Sequence, residues 1–350
     1  GKASVRLDGV RVDLRVVVPD EFGAALQYFT GSMDHNVVLR NRAIDRDLKL
    51  NEYGVFDVST VADPDAGQRV GERVAGRDET GVYGALDMDP VPPELREDRG
   101  EVPAAAAGDL PTLVTREAVC GDLHSHTSWS DGAASIAEMV EGAAAVGHEY
   151  VAVTDHATGP GMVGGVGLDD DRLREQLPLL READDEASID VLAGVEANIG
   201  TNGTVSVADD LLAALDVVVA SPHAALDGDG TDRLVAAAEH PAVDIIGHPT
   251  GRQLNRRPGL TVDVERLATV AAEHDTALEI NASPRRLDLR GSAVQTAVEA
   301  GATVVVNTDA HAPASYEQIR YGIATARRGW AEPGDVLNTR SADELLAVLG

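Results

Sequence analysis

The hydrophobic rhythm of the chain changes about a third of the way along its 350 residues. In VRLDGVRVDLRVVVP, Val10, Val12, Leu14 and Val16 alternate with Arg11, Asp13 and Arg15, the period of a strand with one buried face. DEFGAALQYFTGS predicts a short helix ending at Gly31, and Ser32 is positioned to cap a second helix reaching about Arg46. Beyond residue 57 the pattern loosens into glycine, proline and acids, and residues 100–116, with alanines between Pro103 and Pro111, predict a linker. From residue 119 short apolar runs recur, at 119–123, 150–154, 191–195, 217–220, 244–247, 277–280 and 303–307. Segments of helical period such as SIAEMVEGAAAVG and VERLATVAAEH separate most of them. Strand followed by helix, seven times over, predicts a parallel sheet, most simply closed into a barrel. The closing SADELLAVLG reads as a last helix capped by Ser341.

Composition adds two constraints. The 43% hydrophobic content supports a real core, yet no apolar run approaches the roughly 18 residues of a membrane span. No signal-peptide pattern opens the chain, and Cys120 is the single cysteine, so a reducing, cytoplasmic setting is expected, with Cys120 a small buried residue. Charge is the anomaly: 59 acids against 29 bases leave a formal net charge of −30, and the two lysines are Lys2 and Lys49. A nucleic-acid-binding protein ordinarily carries a basic footprint, so taken alone this argues against DNA. Acidity spread evenly, with arginine in place of lysine, instead resembles the composition of proteins from high-salt habitats, where ions screen the self-repulsion. The charge reports surroundings more than ligand.

The residues that follow each apolar run carry the chemistry. After the first come His124, His126 and Asp131; TDH after the second ends in His156; GVE ends in Glu196; ASPH ends in His223. IGHP supplies His248, EIN supplies Asn281, and NTDAH supplies Asp309 and His311. Six of the seven runs thus end in a potential metal ligand, at the strand ends where barrel enzymes keep their active sites. The other histidines, His35, His148, His240 and His274, lie in helix-like or loop segments. Nine converging His, Asp and Glu side chains need cations to neutralise and order them. Imidazole and carboxylate suit Zn, Mn or Fe, and the absence of a thiolate leans away from a closed structural zinc site.

The series H-x-H-x4-D, T-D-H, G-V-E, S-x-H, G-H-P and D-A-H, in this order over residues 117–350, resembles the polymerase and histidinol phosphatase (PHP) domain. The resemblance implies an α/β fold, a distorted (β/α)7 barrel, with three divalent ions, Zn or Mn with Fe as a further candidate. His124, His126, Glu196 and Asp309 would hold one ion, with Glu196 bridging to a second held by His223 and His248. Asp131, His156 and His311 would hold the third, and Glu196, His223 and Asp309 would lie nearest the chemistry. Pro222, before His223, departs from the usual pattern and stiffens that loop.

The first part has its own likeness. VDLRV, QYFTGSMDHNVVLRNRA, LKLNEYGVF and VPPELREDRGE resemble the last palm strand and the thumb of a family X DNA polymerase, implying a small α+β remnant over 1–99, a linker over 100–116 and the PHP domain over 117–350. Asp13 matches the third catalytic carboxylate of such a palm; Tyr28, Phe29 and Gly31 match a nucleotide-pocket turn; Asn36 and Arg40 match minor-groove contacts, with Arg42 beside them. Met33 stands where a basic residue is usual.

Together the two likenesses imply a metal-dependent phosphoesterase acting on DNA 3′ ends, a 3′–5′ exonuclease or end-processing enzyme of DNA repair. Polymerase activity is expected only in a longer chain, because Asp13 alone cannot hold two catalytic metals. Arg252, Arg285 and Arg286, with Asn281, are candidate phosphate contacts beside the rim. A small-molecule phosphatase such as histidinol phosphatase uses the same ligands and is the alternative. An amidohydrolase-type deaminase would not need Asp131, His156 and His311, and a scaffold without activity would favour missing ligands, whereas all nine are filled. The expected partners are DNA 3′ ends or small phosphoesters, with no membrane and no obligate protein.

Overall fold

A computed structural model describes residues 1–159, 161 and 166–349. Two units meet at Pro111 and Thr112. In the first, β1 (Lys2–Leu7) and β2 (Val10–Arg15) form an antiparallel hairpin through Asp8 and Gly9, both at positive φ. The register sets Val5 opposite Val12 and Leu7 opposite Val10 on one face, and Ser4 opposite Asp13 on the other. The expectation of a buried face fails here: Val5, Leu7 and Val10 are 53%, 61% and 64% exposed, and nothing among the described residues covers them. A two-stranded ribbon has no further layer to bury its apolar side against.

Next come α1 (Phe22–Tyr28) and α2 (Met33–Ile44), the latter capped by the Ser32 hydroxyl, which accepts from the His35 amide at 3.0 Å. An antiparallel sheet of β3 (Leu48–Asn51), β4 (Gly54–Asp57) and β5 (Glu72–Ala75) precedes α3 (Glu79–Ala85). Within the stretch read as a linker the chain instead forms α4 (Glu101–Ala107). Pro103 sits in its first turn, where the missing amide is no loss. A buried polar knot docks the helix. Glu101 Oε1 lies 2.5 Å from His35 Nδ1 and accepts from the Asp98 amide, Oε2 accepts from the Arg99 amide, and Tyr83 Oη lies 3.2 Å from His35 Nε2. Burial pushes the Glu101 carboxyl up, but His35 and the backbone amides outweigh it and hold it below its usual value.

The second unit is the predicted barrel. Its strands are β6 (Gly121–Asp122), β7 (Tyr150–Val153), β8 (Asp190–Asn198), β9 (Val217–Ser221), β10 (Ile245–Ile246), β11 (Ala277–Asn281) and β12 (Val304–Asn307). They pair in parallel in chain order. The helices are α5 (Ile136–Ala145), α6 (Asp170–Glu186), α7 (Asp209–Leu212), α8 (Thr231–Ala238), α9 (Val264–Glu273), α10 (Gly291–Glu299), α11 (Ile319–Arg328) and α12 (Ala342–Leu349). The strands are buried on both faces, which is why they read as continuous apolar runs. One set of alternate residues, including Leu123, Ala152, Leu192, Val219, Ile245 and Val305, packs together with Leu337 and, from α12, Leu345. No helix among the described residues is long and apolar enough to cross a membrane.

Polar groups close the seam between first and last strands. His126 N donates to Ala310 O at 2.8 Å, and Asp122 accepts from the Thr308 amide and hydroxyl at 3.0 and 2.6 Å. Asn338 donates to Gly121 O and Val306 O, both at 2.7 Å, bridging the two strands from below. Burial raises the Asp122 carboxyl to about 7 against the pull of those hydrogen bonds.

The His35–Glu101 pair yields the first test. Glu101→Ala strands a buried imidazole and two amides, a change that costs about 3 kcal/mol. Hydrogen exchange of the α2 and α4 amides should accelerate about 100-fold, with the barrel amides unaffected. Unchanged exchange in α4 would show that the pair does not dock the helix.

Candidate metal centre

Six of the seven barrel strands deliver a cluster residue at or beyond the C-terminal end. His124 and His126 follow β6, and Asp131 lies in the loop beyond; His156 follows β7; Glu196 sits within β8; His223 and His248 follow β9 and β10; Asp309 and His311 follow β12. His248 and Asp309 adopt left-handed backbone, with φ of 26° and 55°. Such strain persists where the surroundings over-determine it, and here the His248 amide is fixed by Glu279 Oε2 at 2.6 Å.

Glu196, fully buried, is the hub. Its Oε1 lies 3.0 Å from His248 Nε2, 3.3 Å from His223 Nε2 and 3.4 Å from His124 Nε2. Its Oε2 lies 2.6 Å from His156 Nδ1 and 3.6 Å from His126 Nε2. Asp309 Oδ1 approaches His126 Nε2 at 3.2 Å and His311 Nδ1 at 3.6 Å, while Asp131 Oδ1 approaches His311 Nε2 at 3.2 Å and His156 Nε2 at 3.6 Å. All nine residues singled out in the sequence therefore converge on one cluster.

The electrostatics follow from burial and crowding. Burial pushes Glu196 up, but His156, His223 and His124 pull it well below the usual carboxylate range. Burial, then His156 and His311, press His126 down to about 4. Against its burial, Asp131 and Asp309 lift His311 to about 9. Among the described residues, both Glu196 oxygens, both His126 nitrogens, His124 Nε2 and His223 Nε2 are buried without a hydrogen-bond partner. Each such atom costs about 1–3 kcal/mol unless something takes its lone pair. A divalent cation does, so the donor set fits metal. Among the described residues, three groups have ligand atoms within 4.8 Å of one another: His126, Asp131, His156 and His311; His124, His126 and Glu196; and His156, Glu196 and His223.

A second set of residues, not found by reading the sequence, orients this one. Glu279 Oε1 holds His124 Nδ1 at 2.7 Å and accepts from Asn307, so His124 Nε2 faces the cluster. Asn198 Oδ1 does the same for His223 Nδ1 at 2.8 Å. Asp155 accepts from the Thr127 amide and hydroxyl, the Ser130 hydroxyl and Gln176, fixing the loop that bears Asp131. Their signal was a polar residue inside or beside an otherwise apolar run, as in ALEIN and VAVTDH.

The candidate phosphate contacts divide. Arg285 and Arg286 line a cavity of about 550 Å³ with Asp131, Asp309 and His311, and Arg286 Nε lies 3.4 Å from Asp309 Oδ2. Asn281 is directed elsewhere: it is buried, donates to Asp309 Oδ2 at 3.1 Å and accepts from the Ser283 amide, so it positions Asp309 instead of facing the cavity. Arg252 is likewise turned inward, donating to the carbonyls of Arg286 and Leu287.

In the first unit Asp13 is solvent-exposed on the hairpin. Ser4, then Arg11 and Lys2, lower its carboxyl to about 2 against a small opposing burial effect, and its facing residue is Ser4, not a second acid. Tyr28 ends α1, and Phe29 and Gly31 lie in the turn before α2; Gly31 has φ of 94°, and a Cβ there would meet Arg96 Cβ at 2.4 Å. Arg40 is exposed, its Nε donating to Asn36 O at 3.3 Å. Asn36 is engaged within the unit, donating to Tyr28 O and accepting from Gln27, and Arg42 donates to the carbonyls of Leu86 and Asp87 at the end of α3.

Residues 25–97 match the DNA polymerase beta thumb and residues 122–283 match the PHP domain. The "DNA polymerase/3'-5' exonuclease PolX" of Bacillus subtilis is 38% identical over 342 residues, covering 97% of this chain, which spans 58% of that relative's length. A "Probable phosphatase" of Shewanella frigidimarina is 32% identical over 242 residues, covering 65% of this chain and 92% of its own. Among solved structures, histidinol phosphate phosphatase from Lactococcus lactis, complexed with zinc, L-histidinol and phosphate, covers 59% of this chain and 93% of its own at 18% identity and a TM-score of 0.43. With its histidine-lined barrel matched by that family and by relatives covered over most of their length, the chain belongs to the PHP-domain family and carries a polymerase beta-type thumb ahead of that domain.

Proposed function

We propose that the barrel is a metal-dependent phosphoesterase that removes nucleotides or blocking groups from DNA 3′ ends. The observation that carries the reading is the single cluster of nine His, Asp and Glu side chains beside an arginine-lined cavity. The match through both units to a polymerase and 3′–5′ exonuclease supports DNA as the substrate.

In this reading His124, His126, Glu196 and Asp309 would hold one ion, and Glu196, His223 and His248 would hold a second. Asp131, His156 and His311 would hold a third, with His126 close enough to join them. Zn or Mn, with Fe as a further candidate, suits these donors, and bound ions supply Lewis acidity and activation of water. The protein's own part is orientation and charge. Glu279 and Asn198 aim His124 and His223 inward, and Asn281 and Arg286 restrain Asp309. The guanidinium groups of Arg285 and Arg286 bind the phosphate oxygens at the open side of the cavity. A small-phosphoester reading has one specific support, the "Probable phosphatase" relative matched over 92% of its length.

The deciding assay offers the metal-loaded chain a 5′-labelled oligodeoxynucleotide and histidinol phosphate in parallel, over a range of salt. Shortening from the 3′ end is expected, weakening as salt rises through the range in which the fold holds. Efficient hydrolysis of histidinol phosphate with intact 3′ ends at every salt concentration would replace this reading with the other.

The centre itself predicts about three ions per chain by elemental analysis, loss of hydrolysis on chelation, and recovery with Mn or Zn ahead of Mg. Saturation at a single ion would sink the trinuclear arrangement. Glu196→Gln and His223→Ala should each lower hydrolysis by about two orders of magnitude or more with unchanged circular dichroism, Glu196→Gln the more severely.

Glu279→Gln removes the carboxylate behind His124 while keeping its volume, so metal affinity should drop about 10- to 100-fold in a competition titration. Affinity equal to the parent's would leave Glu279 a purely structural residue.

A further inference from the structure

The barrel concentrates arginines in one place. The loop after β10 carries Arg252, Arg256 and Arg257, and the loop after β11 carries Arg285 and Arg286, in a chain whose net charge is −30. The two loops form one built structure. Leu254 N donates to Arg285 O at 2.7 Å, Arg252 Nε donates to Arg286 O at 2.9 Å, and Gln253 and Arg257 exchange backbone hydrogen bonds of 2.9 and 2.8 Å. Arg257 is braced by Gly251 O at 2.9 and 2.7 Å.

Two concavities adjoin there. The first, of about 550 Å³, runs from Asp131, Asp309 and His311 to Ser283, Arg285, Arg286 and Gln253. The second, of about 440 Å³, is lined by residues 252–258, so that Gln253 borders both. No carboxylate lines the second, and among the described residues the Arg256 guanidinium makes no hydrogen bond or ion pair. Burial, followed by the charges of Arg286 and Arg256, lowers the Arg257 guanidinium below its usual value, a measure of that crowding. A single phosphate ester is served by the first cavity with Arg286. A second cationic concavity beside it fits the next phosphate of a strand.

We propose that residues 253–257 form a backbone subsite, in which Arg256 and Gln253 take the phosphodiester upstream of the terminal nucleotide and make the barrel select a nucleic-acid strand over an isolated ester. The proposal rests on the phosphoesterase reading of the metal centre.

The test compares the metal-loaded full chain with Arg256→Ala, Arg256→Glu and Arg256→Lys on a 5′-labelled single-stranded oligodeoxynucleotide and on p-nitrophenyl phosphate. For the oligonucleotide, KM should rise about tenfold in Arg256→Ala and further in Arg256→Glu, with kcat within about twofold. The salt dependence should flatten by about one phosphate contact, and Arg256→Lys should recover most of the loss. Hydrolysis of p-nitrophenyl phosphate should be unchanged, which also reports an intact metal centre. An unchanged oligonucleotide KM, or equal losses on both substrates, would overturn the subsite. If the parent cleaves only the small ester, the DNA reading of the centre has failed, and anisotropy of the labelled oligonucleotide decides the subsite separately. Binding lost in Arg256→Glu then supports it, and equal binding overturns it.

Discussion

A carboxylate held out of water among five imidazoles organises the barrel mouth. Glu196 lies within 3.6 Å of nitrogens from His124, His126, His156, His223 and His248, which arrive from four other strand ends. Desolvating such a charge costs several kcal/mol, and only compensating positive charge at close range restores the balance. The position of Glu196 within β8, the longest strand of the barrel, gives the acid no freedom to retreat to solvent. Against their burial, the surrounding carboxylates raise the His124 and His156 imidazoles above their usual value, and divalent cations are the kind of charge that would complete the balance. The side chains that organise the barrel mouth are therefore the same ones that could take a cation.

That coupling extends outward through groups that are structural and chemical at once. Glu279 accepts from Asn307 on β12 and from Asn281 on its own strand, and it also fixes His124 and the His248 amide. Asp122 closes the seam to Thr308 one residue before Asp309 and accepts from the His124 amide. A barrel held by backbone ladders alone would leave the first and last strands loosely joined. Here fully buried polar networks give the seam a definite geometry, and the ligand-bearing loops inherit it.

The first unit follows a different logic. Its helices dock by the His35–Glu101–Tyr83 knot and by Arg42 on the end of α3, while its hairpin keeps one apolar face open to solvent. Residues that resemble polymerase contacts are divided by this arrangement. Arg40 and Phe29 remain exposed, whereas Asn36 is held by the turn it stabilises.

The order of elements was legible in the residues, because strand and helix periods are written by neighbours a few positions apart. Each of the seven apolar runs overlaps a barrel strand, Ser32 and Ser341 cap the helices they precede, and the nine cluster residues were visible as polar side chains at or beyond the ends of apolar runs. Partnership was not legible, since it depends on which distant atoms the fold brings together. His124 meets Glu279 across 155 positions, and His35 meets Glu101 across 66, which turns a stretch resembling a linker into a helix. The same holds for Arg252 and Asn281, polar residues at the rim whose donors point inward once the neighbouring loops are in place. Sequence determines where a polar group is offered; tertiary structure decides what it touches, because a hydrogen bond is satisfied within about 3 Å whatever the separation along the chain.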